Sequence, residues 1–329
     1  MCSSDLLEPD LKGVLIAAFQ KVLENDILFA HSQMLYKDLF DREEALGTEI
    51  IDWEAQKPVK ELFTVVIFTR GVFLRTQRTY DLPDPAFDAL YQVLRFIRQN
   101  KARRGTWLLN SSSLYFAYSY VFPRMFQLGR LVFEMLPFSH SYGVYQTGSG
   151  TVALEQNTVS SDGNTVSGCR YTLDGLGLME KEDFRSAHCL LQPGDPVLGI
   201  HVPGNEKLDE GAVQASLESS KLFFNKYFPQ KRFYAYVCSS WLLDVGLEKF
   251  LPEASNILKF QRRFTVPRRS INTFSIYDNI FQVSAHCPLE ELVPKNRFQS
   301  AILTHVKAGG TLYSGQGYIL IPQRAEETL

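Results

Sequence analysis

The sequence predicts an α+β protein, with a helical N-terminal domain over residues 1–122 and, over 123–329, a mixed, largely antiparallel sheet flanked by helices. Three observations carry this prediction. Apolar residues recur at helical spacing through the first third of the chain. From about Tyr115 the pattern changes to alternation punctuated by glycine turns. Residues 197–244 then read as strand, helix and strand, a βαβ unit. A length of 329 residues, at ~150 per domain, fits two domains, and an apolar fraction of 45% lets each bury a core.

Each element follows in order. Leu11, Val14, Leu15, Ala18, Phe19, Val22 and Leu23 fall on one helical stripe, with Asp10 as its N-cap. Further helices are expected over 26–41, over 59–73 with Pro58 in the first turn, and through Phe87, Leu90, Tyr91, Leu94 and Ile97. The last is capped by Asp84 and leaves Arg95, Arg98 and Lys101 toward water. Its basic end, Lys101-Ala-Arg-Arg, suits the helix macrodipole, with a ligand patch as the alternative. Phe126 to Pro137 alternates as one strand, with Leu131, Phe133 and Met135 on an apolar face and Arg130, Val132 and Glu134 on the other. Tyr142–Tyr145 and Thr151–Leu154 flank a Gly-Ser-Gly turn, and Asp162-Gly163 and Gly168 mark hairpin loops. After the βαβ unit, Leu247–Leu251 reads as a short helix ended by Pro252. Ile257–Val266 reads as a strand, with Leu258, Phe260, Phe264 and Val266 sharing a face with Arg262. Segments 271–280 and 282–287 are strand or mixed. Asn296–Lys307 is a final helix closed by Gly309-Gly310, and Gly317–Ile321 a last strand.

Several function classes are disfavoured. Thirty-four basic and 36 acidic residues almost balance, leaving no footprint for nucleic acid or an anionic membrane. Five scattered cysteines, none in a Cys-x-x-Cys pair, argue against a disulfide framework or a metal site. The first residues lack the basic start and apolar block of a signal peptide, and no apolar run approaches the ~20 residues needed to span a bilayer. A soluble protein of the reducing cytoplasm is expected.

A βαβ unit places ligands beyond the carboxyl ends of its strands, so His201 and the segment Cys238–Asp244 should share one crevice. His201 is a candidate general base, or a histidine that caps a strand end. Cys238, Ser239 and Ser240 offer three possible nucleophiles, but no Gly-x-Ser-x-Gly elbow surrounds them. Cys238 then packs, while Ser239 or Ser240 binds a ligand or caps a turn. Trp241 is a core anchor or a substrate platform, and Asp244 caps the next helix. Arg130 and Glu134 form either a surface pair or a base and its neighbour. Gly204 leads into a helix whose start carries Glu206, Asp209 and Glu210, which favours self-capping and repels an anion.

Four blocks, LGRLVFEM at 128–135, GIHVPG at 199–204, CSSWLLD at 238–244 and SNILKFQRRF at 255–264, resemble a bacterial family of acyltransferases. Its members pair a helical N-terminal acyltransferase-like domain with a GNAT-like C-terminal domain. The resemblance implies acyl transfer from acetyl-CoA or another acyl-CoA, as co-substrate, to an amine on a small molecule or peptide. In such folds a splayed pair of parallel strands admits the pantetheine arm. Carried over, His201 or Glu134 serves as base and Ser239 or Ser240 as acid. Val202, Gly204, Asn205, Cys238 and Ser239 line the donor, and Arg130, Trp241 and Arg262 the acceptor, with no metal. The chain departs from the usual Arg/Gln-x-x-Gly-x-Gly/Ala loop, with three acids between Gly204 and Gly211. A non-catalytic binding protein on the same scaffold is therefore the alternative.

Overall fold

A computed structural model of the chain describes residues 9–27, isolated helical positions between 29 and 120, and residues 124–204, 207–283 and 287–322. It divides into two compact units, Met1–Phe126 and Gln127–Leu329. In the first, helix α1 (Pro9–Leu23) opens on a proline, whose fixed φ and missing N–H suit a first turn. Asp10 thus lies inside the helix instead of capping it. Leu15, Ala18 and Val22 are buried as the stripe requires, but Leu23 is 64% exposed and lies off it. Leu94 and Ile97 are buried while Arg98 and Lys101 are exposed, matching the expected stripe at those positions. The rest of the helices expected over 26–41, 59–73 and 87–97 lies outside the described residues.

The second unit rests on two sheets. One has the order β1 (Met125–Leu128), β2 (Leu131–Pro137), β9 (Pro196–His201), β10 (Ala235–Ser240), β12 (Tyr313–Leu320) and β11 (Thr265–Ile271). The other has the order β5 (Ser160–Asp162), β6 (Thr165–Tyr171), β4 (Gly150–Glu155), β3 (Tyr142–Thr147) and β8 (His188–Leu191), with β7 (Leu178–Arg185) also on β6. Strands β9 and β10 run parallel, whereas β2 with β9, β10 with β12 and β11 with β12 run antiparallel. The mixed, largely antiparallel sheet is as expected. The parallel pair needs a crossover, and helix α2 (Glu210–Tyr227) supplies it.

One core lies between the sheets, where Phe138, Tyr142, Val144 and Leu191 meet Val197, Ala235, Val237 and Tyr318. Helix α2 covers the other face of the first sheet. Its Phe224 packs edge-on against Phe133 of β2 with ring centroids 6.5 Å apart, and its Ser220 Oγ lies 2.7 Å from the Tyr236 hydroxyl. Each such large apolar side chain contributes about 1.5–3 kcal/mol on burial. A further core gathers Leu258 from α3 (Asn256–Gln261), Ile302 and Leu303 from α4 (Arg297–Lys307), and Ile276, Ile280 and Phe281 from a π-helical turn.

Several expectations are corrected. Residues 126–137 form two strands, because the chain turns at Gly129, where φ is +72°. Strand β2 has no solvent face, since Leu131 through Met135 are all buried. Gly168 is no loop but lies within β6 opposite Glu182, where an added Cβ would come 3.1 Å from Leu154. Residues 257–266 are a helix and turn leading into β11, because the Ser255 hydroxyl accepts from the Ile257 N–H and starts α3. Leu258 and Phe260 within the six-residue helix and Phe264 just beyond it imitate alternation. The short helix expected at 247–251 is a 3₁₀ segment, Val245–Lys249, capped by Asp244, whose Oδ1 accepts from the Gly246 N–H. The final helix keeps its expected end, with Gly309 at φ +85°.

Candidate functional site

The first sheet opens where its parallel pair parts. Tyr234 N–H donates to the Pro196 carbonyl at 2.9 Å, and the register continues through Leu198 with Tyr236 and Gly199 with Val237. There it stops. Beyond this point β9 stays with β2, through His201 opposite Val132, while β10 stays with β12, through Ser240 opposite Gly315. The strands diverge at their carboxyl ends, as the βαβ reading expects of a ligand crevice.

Directly paired residues in a sheet share a face, so the register sorts the candidates. Glu134 opposite Gly199, His201, Ser239 and Gln316 all lie on the face that carries Val197 and Val237, toward the second sheet. Cys238 and Ser240 lie on the α2 face. Ser240, expected as an acid, instead caps the 3₁₀ turn Trp241–Leu243 by accepting from the Leu242 N–H at 3.2 Å. Cys238 is buried, and desolvation pushes its thiol up to about 12, so it neither attacks nor touches a ligand by its side chain.

On the β9 side, His201 Nε2–H donates to Glu134 Oε2 at 2.8 Å. A carboxylate only accepts, so this bond puts a ring proton on Nε2. Glu134 is 4% exposed, whereas the His201 side chain is 33% exposed. The surface-pair reading of Arg130 and Glu134 is therefore wrong, because β2 is covered on both faces. Gly199 is what leaves room in this row: a Cβ there would sit 2.6 Å from Leu136 Cδ2. A buried acceptor fixing a half-exposed imidazole is the geometry of an oriented general base.

On the β10 side stands a residue that the sequence reading missed. His140, in the connection between β2 and β3, is buried, with Nε2 2.9 Å from Ser239 Oγ and Nδ1 3.0 Å from the Tyr142 hydroxyl. Burial, and next the Arg268 charge, hold it down at about 4, so the imidazole is neutral near pH 7. His140 stands in a bend just before β3 and carries no periodic signal that would single it out. Nearby, Tyr171 and Ser141 both bond to Glu155, and burial lifts the Tyr171 hydroxyl to about 12.

The loop from β9 to α2 is held from below. Arg130 Nε donates to the Lys207 carbonyl at 2.9 Å and Nη2 to the Pro203 carbonyl at 2.8 Å. Its own N–H donates to Ser216 Oγ of α2 at 2.7 Å. The guanidinium expected to meet substrate thus serves as a clamp on this loop. Val202 is half-buried and Gly204 exposed within it, while Asn205 lies outside the described residues. Asp209 caps α2 by accepting from the Ala212 N–H at 3.1 Å, the self-capping read from the sequence. Glu210 pairs with Lys259 at 2.9 Å, which lowers its carboxyl. Arg262 is an exposed residue at the end of α3, 4.0 Å from Glu253, and not a strand residue in a cleft. Trp241 stacks on Phe298 at 6.2 Å and anchors a core.

Two sheets, a parallel pair that parts at its carboxyl ends and a histidine–carboxylate couple on one lip define an α+β protein with a candidate cleft between diverging strands. Residues 125–319, more than half of the chain, match the GNAT-like C-terminal domain, and the chain belongs to that family. No curated protein matches its sequence. Among solved structures it is similar to an acyltransferase mutant in complex with octanoyl-CoA (21% identity, TM-score 0.55) and to an acyltransferase in complex with decanoyl-CoA and teicoplanin (22% identity, TM-score 0.54). Each likeness covers 80% of this chain and 65% of the other, so the chain spans less than two thirds of these relatives' length. At such identity the likeness is one of fold. Among the described residues no helix is long and apolar enough to cross a membrane.

Proposed function

We propose that the chain is an acyl-CoA-dependent N-acyltransferase that acylates an amine on a small molecule or peptide. The splay between β9 and β10, with the His201–Glu134 couple beside it, is the observation that carries this reading. The similar structures, acyltransferases with octanoyl-CoA or decanoyl-CoA bound, support an acyl-CoA donor, and the complex with teicoplanin supports a glycopeptide-like acceptor. In this reading the helical acyltransferase-like domain is 1–122 and the GNAT-like domain 123–329. The protein works in the reducing cytoplasm, in keeping with free Cys169, Cys189, Cys238 and Cys287.

The pantetheine arm lies between the diverging strands, with its phosphates toward Val202 and Gly204. Glu134 orients His201, which takes the proton of the attacking amine. The N–C bond forms, the C–S bond breaks, and the thiolate takes the proton from His201, which restores the imidazole. Calorimetric titration with octanoyl-CoA should show binding, and His201→Ala should lower kcat/KM for transfer by about 10²–10⁴-fold, the ordinary contribution of a positioned base. Absence of binding at millimolar ligand would refute the reading. One observation favours a non-catalytic scaffold, namely that Asp209 takes the Ala212 amide at the α2 start and sets a carboxylate there. Tight CoA binding without any turnover would establish that second reading.

A further inference from the structure

Arg268 is a cation that the transfer chemistry above leaves unused. It stands on β11 opposite Gln316 of β12, which itself stands opposite Ser239 of β10. Ser239 and His201 each lie two residues past the last parallel pair, Val237 with Gly199. Arg268, Gln316, Ser239 and His201 therefore form one transverse row on the sheet face turned toward the second sheet. A bulge puts Arg268 there. Between the pairs Thr265–Tyr318 and Arg268–Gln316, three steps along β11 match two along β12. Without the extra residue Pro267 would occupy the row and Arg268 would face the other way. The bulge is held from outside, where the Gly175 carbonyl accepts the Arg269 N–H at 2.8 Å.

The row is open, since Ser239 is exposed and His201, Gln316 and Arg268 are half-buried. Yet the guanidinium is poorly matched. Its Nη1 donates to Gln316 Oε1 at 3.4 Å, and among the described residues no carboxylate lies within 4.0 Å of it. Its neighbour Arg269, by contrast, pairs with Asp244 at 2.9 Å. Glu155 of the second sheet accepts instead from the hydroxyls of Tyr171 and Ser141. The Arg268 charge is felt at His140, Tyr142 and Tyr171, so the fork points into the space between the sheets. A half-buried charge costs free energy until it is paired, and a guanidinium fork fits a carboxylate with two parallel bonds.

We propose that Arg268 binds a carboxylate of the acceptor, which is a short peptide with its amine at His201 and its C-terminal carboxylate at Arg268. This rests on the acyl-CoA reading above and names its acceptor class. Gln316 draws the guanidinium toward β12, and from β12 to β9 is two strand spacings, roughly 10 Å. That is about the span of two to three extended residues.

The test gives the full chain di- and trialanine, each as the free acid and as the C-terminal amide. Calorimetry with and without CoA follows binding, and N-octanoyl product is measured with octanoyl-CoA as donor. The acid of at least one length should bind at least tenfold more tightly than its amide and should be octanoylated. Arg268→Gln should cut that preference below threefold while binding of the amide changes less than threefold. Should Arg268→Gln lose the amide too, Arg268→Lys decides, with an intermediate preference supporting the site and a full one refuting it. Equal binding of acid and amide, binding of neither, or a preference that survives Arg268→Gln would overturn the carboxylate site. An acid that binds in preference but is never octanoylated, although octanoyl-CoA binds, would remove it as acceptor. If octanoyl-CoA fails to bind while the acid keeps its advantage on the bare chain, the acyl-CoA reading falls and the site stands.

Discussion

Replacing His140 by glutamine should make the fold markedly less sensitive to acid. The folded protein holds His140 at about 4, against 6.5 for a free histidine, because burial and then Arg268 oppose its charge. Above 6.5 the ring is neutral in both folded and unfolded chains, and its contribution to stability is fully present. Between 6.5 and 4 the unfolded chain binds a proton that the folded one refuses, so stability falls as pH falls; below 4 the loss is complete. At about 1.4 kcal/mol per pH unit this amounts to roughly 3 kcal/mol, a large part of a domain's stability. His140→Gln keeps a hydrogen-bonding side chain beside Ser239 and Tyr142 but cannot titrate. Urea unfolding at pH 7.5 and pH 4 measures both proteins, and the difference between wild type and variant isolates His140 from every other titrating group. The variant should be the less stable at pH 7.5 and should gain about 3 kcal/mol on wild type by pH 4. An unchanged difference would mean that the folded ring takes up its proton normally, and the burial of His140 beside Tyr142 would have to be abandoned.

Gly129→Ala should destabilise by about 1–3 kcal/mol in the same unfolding assay, since φ is +72° and the new Cβ would lie 2.9 Å from Ser216 Oγ. A neutral result would mean that the β1–β2 turn and α2 are less closely joined. Asp244→Ala should cost about 3–5 kcal/mol, because it strips the carboxylate from Arg269, 2.9 Å away with a side chain 9% exposed, and leaves that charge buried with only the Asp174 carbonyl and the Tyr313 ring beside it. Recovery of most of the loss in Asp244→Ala with Arg269→Met would identify the stranded guanidinium as the cause.

The βαβ unit was legible from sequence because its three segments have unmistakable periods and ends: a short apolar run to His201, a capped 3.6-residue stripe from Glu210, and a second run to Ser240. The hairpins were legible for the same local reason. What escaped depends on partners distant in sequence. Glu134 is polar on a strand whose alternation promised a wet face, and only its burial and its bond to His201, 67 positions away, show that the face is covered. Arg130 looked like a substrate contact until the carbonyls of Pro203 and Lys207 met it across more than 70 residues. His140 gave no periodic signal, and its importance comes from Ser239, 99 positions away. The 257–266 stretch failed differently: Leu258, Phe260 and Phe264 recur at even spacing, and a six-residue helix is too short for the 3.6-residue period to show.

Strand β10 forms one lip of the cleft, yet its outer neighbour is β12, drawn from residues 313–320. The inner neighbour β9 grips it over only a short register, so the lip is set mainly by a segment made some 70 residues later. A ribosome-bound chain that has emerged through α2 and β10 therefore possesses every proposed reactive side chain but not the geometry that makes them useful. Contacts of such long sequence separation form late and slowly, so the cleft takes its shape only once the C-terminal strand has joined the sheet.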